Sequence, residues 1–212
     1  MLSRLQLKVA EIVAGLDEAT DFALAGGAAL IIRGDVHRQT RDLDFFGLTA
    51  AAVDRLLPVV EDALACAGLS VQRIQVGAGF ARLAIESEDD RTEVDLAADA
   101  RLFPAESGRP APLLSREELA VDKVLAIFGR AEARDFADLM ALEERFGLER
   151  LCRLSAEKDR GFTPALFAEM LVRFDRLRRD EFELDDARYE ELTHAVRRWN
   201  ATALELDRSR EP

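Results

Sequence analysis

In the first hundred residues, segments whose apolar positions have the spacing of a helix alternate with segments whose apolar positions have the spacing of a strand. Apolar side chains recur three or four residues apart in residues 3–16 and 49–67, which predicts two amphipathic helices. Between them, a buried strand at 22–25, a short helix at 28–33 and an alternating strand at 40–46 are expected. Turn residues separate three further alternating runs, which predict strands at residues 70–76, 80–86 and 92–97. The pattern indicates a mixed α/β unit.

The remainder of the chain lacks alternating runs and predicts helices throughout. Pro104, Pro110 and Pro112 mark the change of pattern. We therefore predict an α/β fold in which a small mixed β-sheet core flanked by helices occupies residues 1–105. An all-helical bundle over residues 106–212 would follow it and close an active-site cleft.

Charge and composition narrow the functional classes. The net charge of −12 argues against a broad basic face for nucleic acid. All cationic residues except Lys8, Lys123 and Lys158 are arginines, which suit bidentate phosphate contacts, although a high-GC genome would produce the same bias. Cys66 and Cys152 lack metal-ligand spacing, so we expect reduced thiols.

The chain carries no pattern that predicts export or membrane insertion. Its first residues lack the continuous apolar stretch of a signal peptide, and no apolar run approaches the roughly 18 residues of a membrane span. We expect a cytoplasmic protein with no membrane partner.

Gly26 and Gly27 form a glycine pair between the predicted strand and the short helix. Such a pair lets the main chain approach a ligand closely and turns N–H groups toward an anion. A tight turn that needs glycine only for its backbone angles would explain the pair equally well.

Asp42 and Asp44 alternate along the predicted strand and should share one face. Neighbouring carboxylates repel unless a cation lies between them, and hard divalent ions such as Mg²⁺ prefer oxygen ligands. Asp95 lies in a later strand that again has acids two residues apart. The alternative is a solvated acidic strand face.

Lys123 lies in an apolar helical stretch, where a lysine is uncommon without an anionic partner such as a phosphate or a carboxylate. Farther along, Arg134, Asp135 and Asp138 share helical spacing. An ordinary ion pair within one helix would also explain that spacing.

Together these motifs resemble a known family. The segment Gly26-Gly27-Ala-Ala-Leu30, followed by Arg38-x-Thr40-x-Asp42-Leu43-Asp44, resembles the AbiEii/AbiGii nucleotidyltransferase toxins of type IV and MenT-type toxin–antitoxin systems. These belong to the polymerase-β-type nucleotidyltransferase superfamily. Lys123 and the Arg134-Asp135-x-x-Asp138 segment match the family's later lysine and R-D-x-x-D signature. Ala28 departs from the wider superfamily, in which a Ser or Thr hydroxyl there often helps to hold phosphate.

The resemblance implies a role for each matched residue. It implies that one or two Mg²⁺ ions bind to Asp42, Asp44 and Asp95, and that Asp95 can act as general base. The implied contacts to the triphosphate come from Gly26, Gly27 and Lys123. Charge developing on the α-phosphate would be neutralised by Arg38 or Arg41. Asp138 would be a catalytic or orienting acid.

The resemblance also implies substrates and partners. The expected reaction transfers a nucleoside monophosphate from an NTP, with CTP and UTP favoured, to the 3′ end of tRNA, which blocks aminoacylation and translation. A cognate antitoxin is implied, in some systems a kinase that phosphorylates a hydroxyl at the position of Thr40. Two alternatives remain open: a transferase that adds AMP to a protein, and a degenerate nucleotidyltransferase core kept for binding.

Overall fold

The computed structural model describes residues 1–209, and the chain divides into two units, Met1–Ser115 and the part from Arg116 onward. The helices and strands of the first unit are α1 (Arg4–Ala14), β1 (Ala23–Leu24), α2 (Gly26–Ile32), β2 (Asp42–Gly47), α3 (Ala50–Cys66), β3 (Ser70–Gly77), β4 (Phe80–Glu86) and β5 (Arg91–Ala98).

The first unit is built on a five-stranded sheet with the strand order β1-β2-β5-β4-β3. Strands β2 and β5 run parallel, whereas β1–β2, β4–β5 and β3–β4 are antiparallel. Because a parallel pair needs a crossover, α3 and the β3–β4 hairpin lie between β2 and β5 in sequence. The predicted mixed sheet is confirmed.

Alternation along the central strands separates a buried face from a polar one. Leu43 and Phe45 of β2 are buried, as are Val94 and Leu96 of β5. Helices α1 and α3 pack against the sheet and cover this apolar side. The residues between these apolar positions therefore point to the opposite face, where the acids of both strands stand.

Capping residues set the helix starts much as the sequence predicts. The Ser3 hydroxyl accepts a hydrogen bond from the Gln6 N–H, and Thr49 caps α3 in the same way. Pro58, predicted to kink or split this helix, lies inside one continuous helix. Helix α2 begins at Gly26 rather than at residue 28, because its first helical hydrogen bond already runs from the Ala29 N–H to the Ala25 carbonyl.

The second unit is helical within the residues the structure describes. Its helices are α4 (Arg116–Gly129), α5 (Ala133–Phe146), α6 (Leu148–Lys158), α7 (Pro164–Leu171) and α8 (Asp186–Arg208). They pack around buried side chains that include Phe136, Phe167 and Trp199. None of the helices in residues 1–209 has the length and apolar character needed to cross a membrane. Cys66 is exposed and Cys152 is buried, and neither forms a disulfide within residues 1–209.

Candidate active site

Four carboxylates stand side by side on the polar face of the sheet. The parallel register places Asp42 opposite Glu93 and Asp44 opposite Asp95. Neighbouring strands lie about 4.8 Å apart, so directly opposed side chains are in contact range. Pairing of β2 with β5 thus brings the predicted Asp95 beside the predicted Asp44, on the face that Asp42 also occupies.

Arg82 of β4 is a cation on this face, and the sequence did not single it out. It stands opposite Asp95 in the antiparallel pair, where its Nε and Nη2 donate to the two carboxylate oxygens at 2.7 and 2.6 Å. Its Nε also lies 3.7 Å from Glu93. The hydrogen bond to Asp95 raises the pKa of the Arg82 guanidinium above its ordinary value; burial opposes this shift, and the charges of Asp95, Glu93 and Asp42 add to it. Arg82 is therefore a permanent cation here.

The loop before β2 holds Thr40 against the first aspartate. The Thr40 hydroxyl donates to Asp42 Oδ1 at 2.7 Å. From the other side, Gln6 Nε2 donates to the Thr40 carbonyl at 2.9 Å. The Arg41 carbonyl accepts from the Glu93 N–H at 3.1 Å, while the Arg41 residue itself is exposed. This loop is thus tied to α1 and β5, which fixes the Thr40 hydroxyl beside Asp42.

The glycine pair gives room to the side chains of this site. Gly26 has a φ of +57°, and a Cβ atom there would lie 1.8 Å from Asp44 Oδ2. A Cβ on Gly27 would lie 2.6 Å from Arg38 Nη2 and 3.2 Å from Thr40 Oγ1. Gly26 therefore needs glycine both for its backbone angle and for its close approach to the Asp44 carboxylate, while the approach of a ligand to the pair stays a prediction.

Substitution of Gly26 by Ala should displace Asp44. A methyl group cannot share the space of the carboxylate, and alanine is strained at positive φ. Because a displacement of about 1 Å at a reacting centre can reduce rate 100-fold, we expect a loss of transfer activity of roughly that size. Steady-state transfer kinetics measure it, with Gly77→Ala as the matched control, since a Cβ there meets nothing within 4 Å. Equal activity of Gly26→Ala and wild type would show that the position of Asp44 does not matter.

Ala28, the departure from the superfamily pattern, is completely buried, as is Ala29. These side chains pack in the core of the first unit. Position 28 therefore contributes packing in this chain, and the polar groups beside the glycine pair come from Arg38, Thr40 and Asp44.

The carboxylate oxygens on β2 fit a divalent cation whose remaining coordination positions are filled by the substrate. Among residues 1–209, no three His, Cys, Asp or Glu side chains are arranged to hold a metal ion. Asp95, the third metal ligand that the resemblance implies, has both of its oxygens bonded to Arg82 in this structure. Asp42 and Asp44 supply oxygen ligands from one strand face, and Mg²⁺ commonly takes one or two protein carboxylates and fills its other positions with substrate phosphates and water.

In the second unit, the predicted Lys123 and Asp138 contact each other. Lys123 is 5 % exposed, and its Nζ lies 2.9 Å from Asp138 Oδ2 and 3.3 Å from Asp135 Oδ1. Arg130 donates to both oxygens of Asp135 at 2.9 and 3.0 Å. The sequence predicted either a phosphate or a carboxylate as the partner of Lys123, and the structure shows carboxylates. Arg134 donates to Glu132 at 3.0 Å.

Asp135 is ionised within this cluster at neutral pH. Burial raises its pKa, but the hydrogen bond from Arg130 and the charge of Lys123 lower the pKa by more, so the net pKa lies below the ordinary value. A carboxyl with a lowered folded-state pKa stabilises the fold above its unfolded pKa of about 3.9, and this contribution disappears as pH falls through the folded-state pKa. At neutral pH the Asp135 carboxylate therefore makes its full contribution to the stability of the fold.

Comparison with known proteins agrees with this architecture. The family profile described as "Nucleotidyl transferase AbiEii toxin, Type IV TA system" matches residues 13–212. A crystal structure of a candidate nucleotidyltransferase from Helicobacter pylori superposes with a TM-score of 0.57 and 19 % identity, covering 98 % of this chain and 97 % of that one. The protein JHP933 from Helicobacter pylori superposes with a TM-score of 0.53 and 19 % identity, covering 99 % and 94 %. At this identity the two structures show the fold alone.

No curated protein matches the chain. The family profile, however, spans nearly all of the sequence, including the glycine pair, Asp42, Asp44, Asp95, Lys123 and Asp138. The chain therefore belongs to the AbiEii family of nucleotidyl transferase toxins of type IV toxin–antitoxin systems, and it is a nucleotidyltransferase.

Proposed function

We propose that this nucleotidyltransferase is Mg²⁺-dependent and transfers a nucleoside monophosphate, from CTP or UTP by preference, to the 3′ end of tRNA. The observation that carries the proposal is the placement of Asp42 and Asp44 on one strand face, with Asp44 directly beside Gly26 and with Arg38 beside Gly27. In cells this transfer would block aminoacylation and translation until a cognate antitoxin neutralises the toxin.

The reaction joins the acceptor hydroxyl oxygen to the α-phosphorus of the nucleotide. The bond between the α-phosphorus and its bridging oxygen breaks, and pyrophosphate leaves. The hydroxyl proton passes to a carboxylate, for which we assign Asp95. A divalent cation bound to Asp42 and Asp44 would neutralise phosphate charge. The residues otherwise act by holding and orienting the substrates.

The remaining assignments follow the family. Gly26 and Gly27 are assigned to the triphosphate, and Lys123 of the second unit is assigned to phosphate because the family resemblance implies it. Arg38 is favoured over Arg41 for the α-phosphate, because its guanidinium lies against Gly27 whereas Arg41 is exposed. Asp138 is an orienting acid, and its 2.9 Å contact would fix the Lys123 ammonium in one position.

A transfer assay tests this function directly. Purified protein, Mg²⁺ and each α-labelled NTP in turn are mixed with total tRNA and with total protein. We expect label on tRNA, with CTP and UTP the best donors, and no label on tRNA whose 3′ ribose has been oxidised with periodate. Label on a protein would establish the AMP-addition alternative. Absence of label on either acceptor would favour a binding protein with a degenerate core.

Thr40 is a candidate site for regulation by an antitoxin kinase. Its hydroxyl now donates to Asp42 at 2.7 Å, and a phosphate there would replace this donor with about −1.5 to −2 charges beside the carboxylate. We expect repulsion of the triphosphate and loss of transfer. Intact-mass measurement after co-expression with a neighbouring kinase should show one added phosphate, which Thr40→Ala abolishes. An unmodified wild-type mass would contradict the hypothesis.

A further inference from the structure

The bond between Arg82 and Asp95 is a feature of the acidic face that the proposed reaction leaves unused. Asp95 is only 6 % exposed, and both of its carboxylate oxygens accept hydrogen bonds from one guanidinium, at 2.7 and 2.6 Å. A bidentate pair of this kind is strong and fixes the carboxylate in one orientation. A cation that needs the same oxygens must compete with Arg82, whereas each oxygen keeps a second lone pair that can accept the proton assigned to Asp95.

The position of Arg82 makes it a counter-ion of the two β5 carboxylates on this face. Its contacts to Asp95 and Glu93 place one positive charge among four carboxylates, since the strand register puts Asp44 beside Asp95 and Asp42 beside Glu93. The charge of Asp42 also acts on the guanidinium. A guanidinium cannot lose its proton at accessible pH, so this charge is always present.

We propose that Arg82 is a positioning residue that keeps Asp95 out of reach of the divalent cation. As long as Arg82 occupies both oxygens of Asp95, a cation binds to Asp42 and Asp44 alone and meets the repulsion of the neighbouring guanidinium. Asp95 is thereby held in a fixed orientation beside the acceptor hydroxyl. The inference rests on the proposed function, because it takes Asp42 and Asp44 as the ligands of the cation.

A purely structural role for Arg82 makes a different prediction. A cross-strand ion pair that only joins β4 to β5 would stabilise the sheet without affecting metal affinity. Arg73 offers the matched comparison. It forms a bidentate pair with Glu61 between β3 and α3, with both distances at 2.6 Å, in the same unit but away from the acidic strands.

Binding of Mn²⁺ in the absence of nucleotide separates the two roles. We expect Arg82→Gln to bind Mn²⁺ about tenfold more tightly than wild type, as measured by the free-ion electron paramagnetic resonance signal, because a nearby positive charge is removed and Asp95 is released. Arg73→Gln should bind as wild type does. Equal or weaker Mn²⁺ binding by Arg82→Gln, including no measurable binding by either protein, would overturn the proposal.

Thermal unfolding with and without Mn²⁺ covers the case in which Arg82→Gln is unstable. If a divalent ion can replace the missing guanidinium, Mn²⁺ should raise the Tm of Arg82→Gln by more than it raises that of wild type or Arg73→Gln. A variant that stays unfolded in Mn²⁺, or that gains no more Tm than the controls, counts against the proposal. Neither readout uses catalysis, so a negative transfer assay would refute the proposed reaction while leaving this result intact.

Discussion

Replacement of Asp44 by Asn is expected to reduce nucleotide transfer by on the order of 1000-fold, because a bound metal ion contributes several kcal/mol to stabilising charge in the transition state. Asn keeps the shape of the side chain that packs against Gly26 but removes the negative charge with which Asp44 would hold a cation. Asp42→Asn should have an effect of similar size, although its amide oxygen can still accept the hydrogen bond from the Thr40 hydroxyl. Measurement of kcat/KM with labelled NTP tests both variants.

Glu93→Gln is the matched control for these substitutions. Glu93 stands on the same sheet face, directly opposite Asp42, and also lies near Arg82. If general negative charge were all that mattered, Glu93→Gln would be as damaging as the Asp variants. We expect it to change kcat/KM by less than about threefold, which is below 1 kcal/mol.

Transfer by Asp44→Asn within tenfold of wild type, in a protein with an unchanged Tm, would refute the role of Asp44. In host cells, an Asp42→Ala variant as toxic as wild type would refute the enzymatic mechanism of toxicity.

The local part of this site follows from the sequence, whereas its long-range part does not. Alternation along β2 is a property of any strand, so the shared face of Asp42 and Asp44 could be predicted from their spacing. The pairing of Asp44 with Asp95 depends on a parallel crossover between strands that are distant in sequence. A shift of one residue in that register would turn Asp95 to the other face, and periodicity alone does not fix it. The family resemblance supplied this contact.

Arg82 shows what pattern analysis missed. The strand that carries it was predicted with the observed bounds, Phe80–Glu86, but no motif marks the arginine. Its importance arises only from the antiparallel register that sets it opposite Asp95. Counting back from the turn between β4 and β5 would have located the pair, because Glu86 faces Arg91 and each further step toward Arg82 is matched by one toward Asp95. Lys123 was predicted in part. Its apolar surroundings indicated an anionic partner, but the sequence did not identify that partner.

Replacement of Lys123 by Met is expected to lower the free energy of unfolding by about 3–5 kcal/mol, since removal of one partner from a buried ion pair leaves uncompensated charge. Asp138 is fully buried and would lose its 2.9 Å contact, while Asp135 would keep Arg130. Urea denaturation at neutral pH measures the change. Lys8→Met is the control, because Lys8 is exposed and bonds only to a main-chain carbonyl in the residues described, so a change within about 0.5 kcal/mol is expected. A similar small change for Lys123→Met would show that the cluster contributes little to stability.

The double variant Lys123→Met/Asp138→Leu separates structural from catalytic roles in this cluster. Replacing both members of a buried pair by apolar groups of similar size is often close to neutral, so much of the lost stability should return. If Lys123 holds the triphosphate, transfer stays lost in the double variant although the protein is stable, because an apolar side chain offers nothing to phosphate. If transfer returns together with stability, Lys123 and Asp138 act only in folding, and the phosphate contacts must come from the residues around the glycine pair.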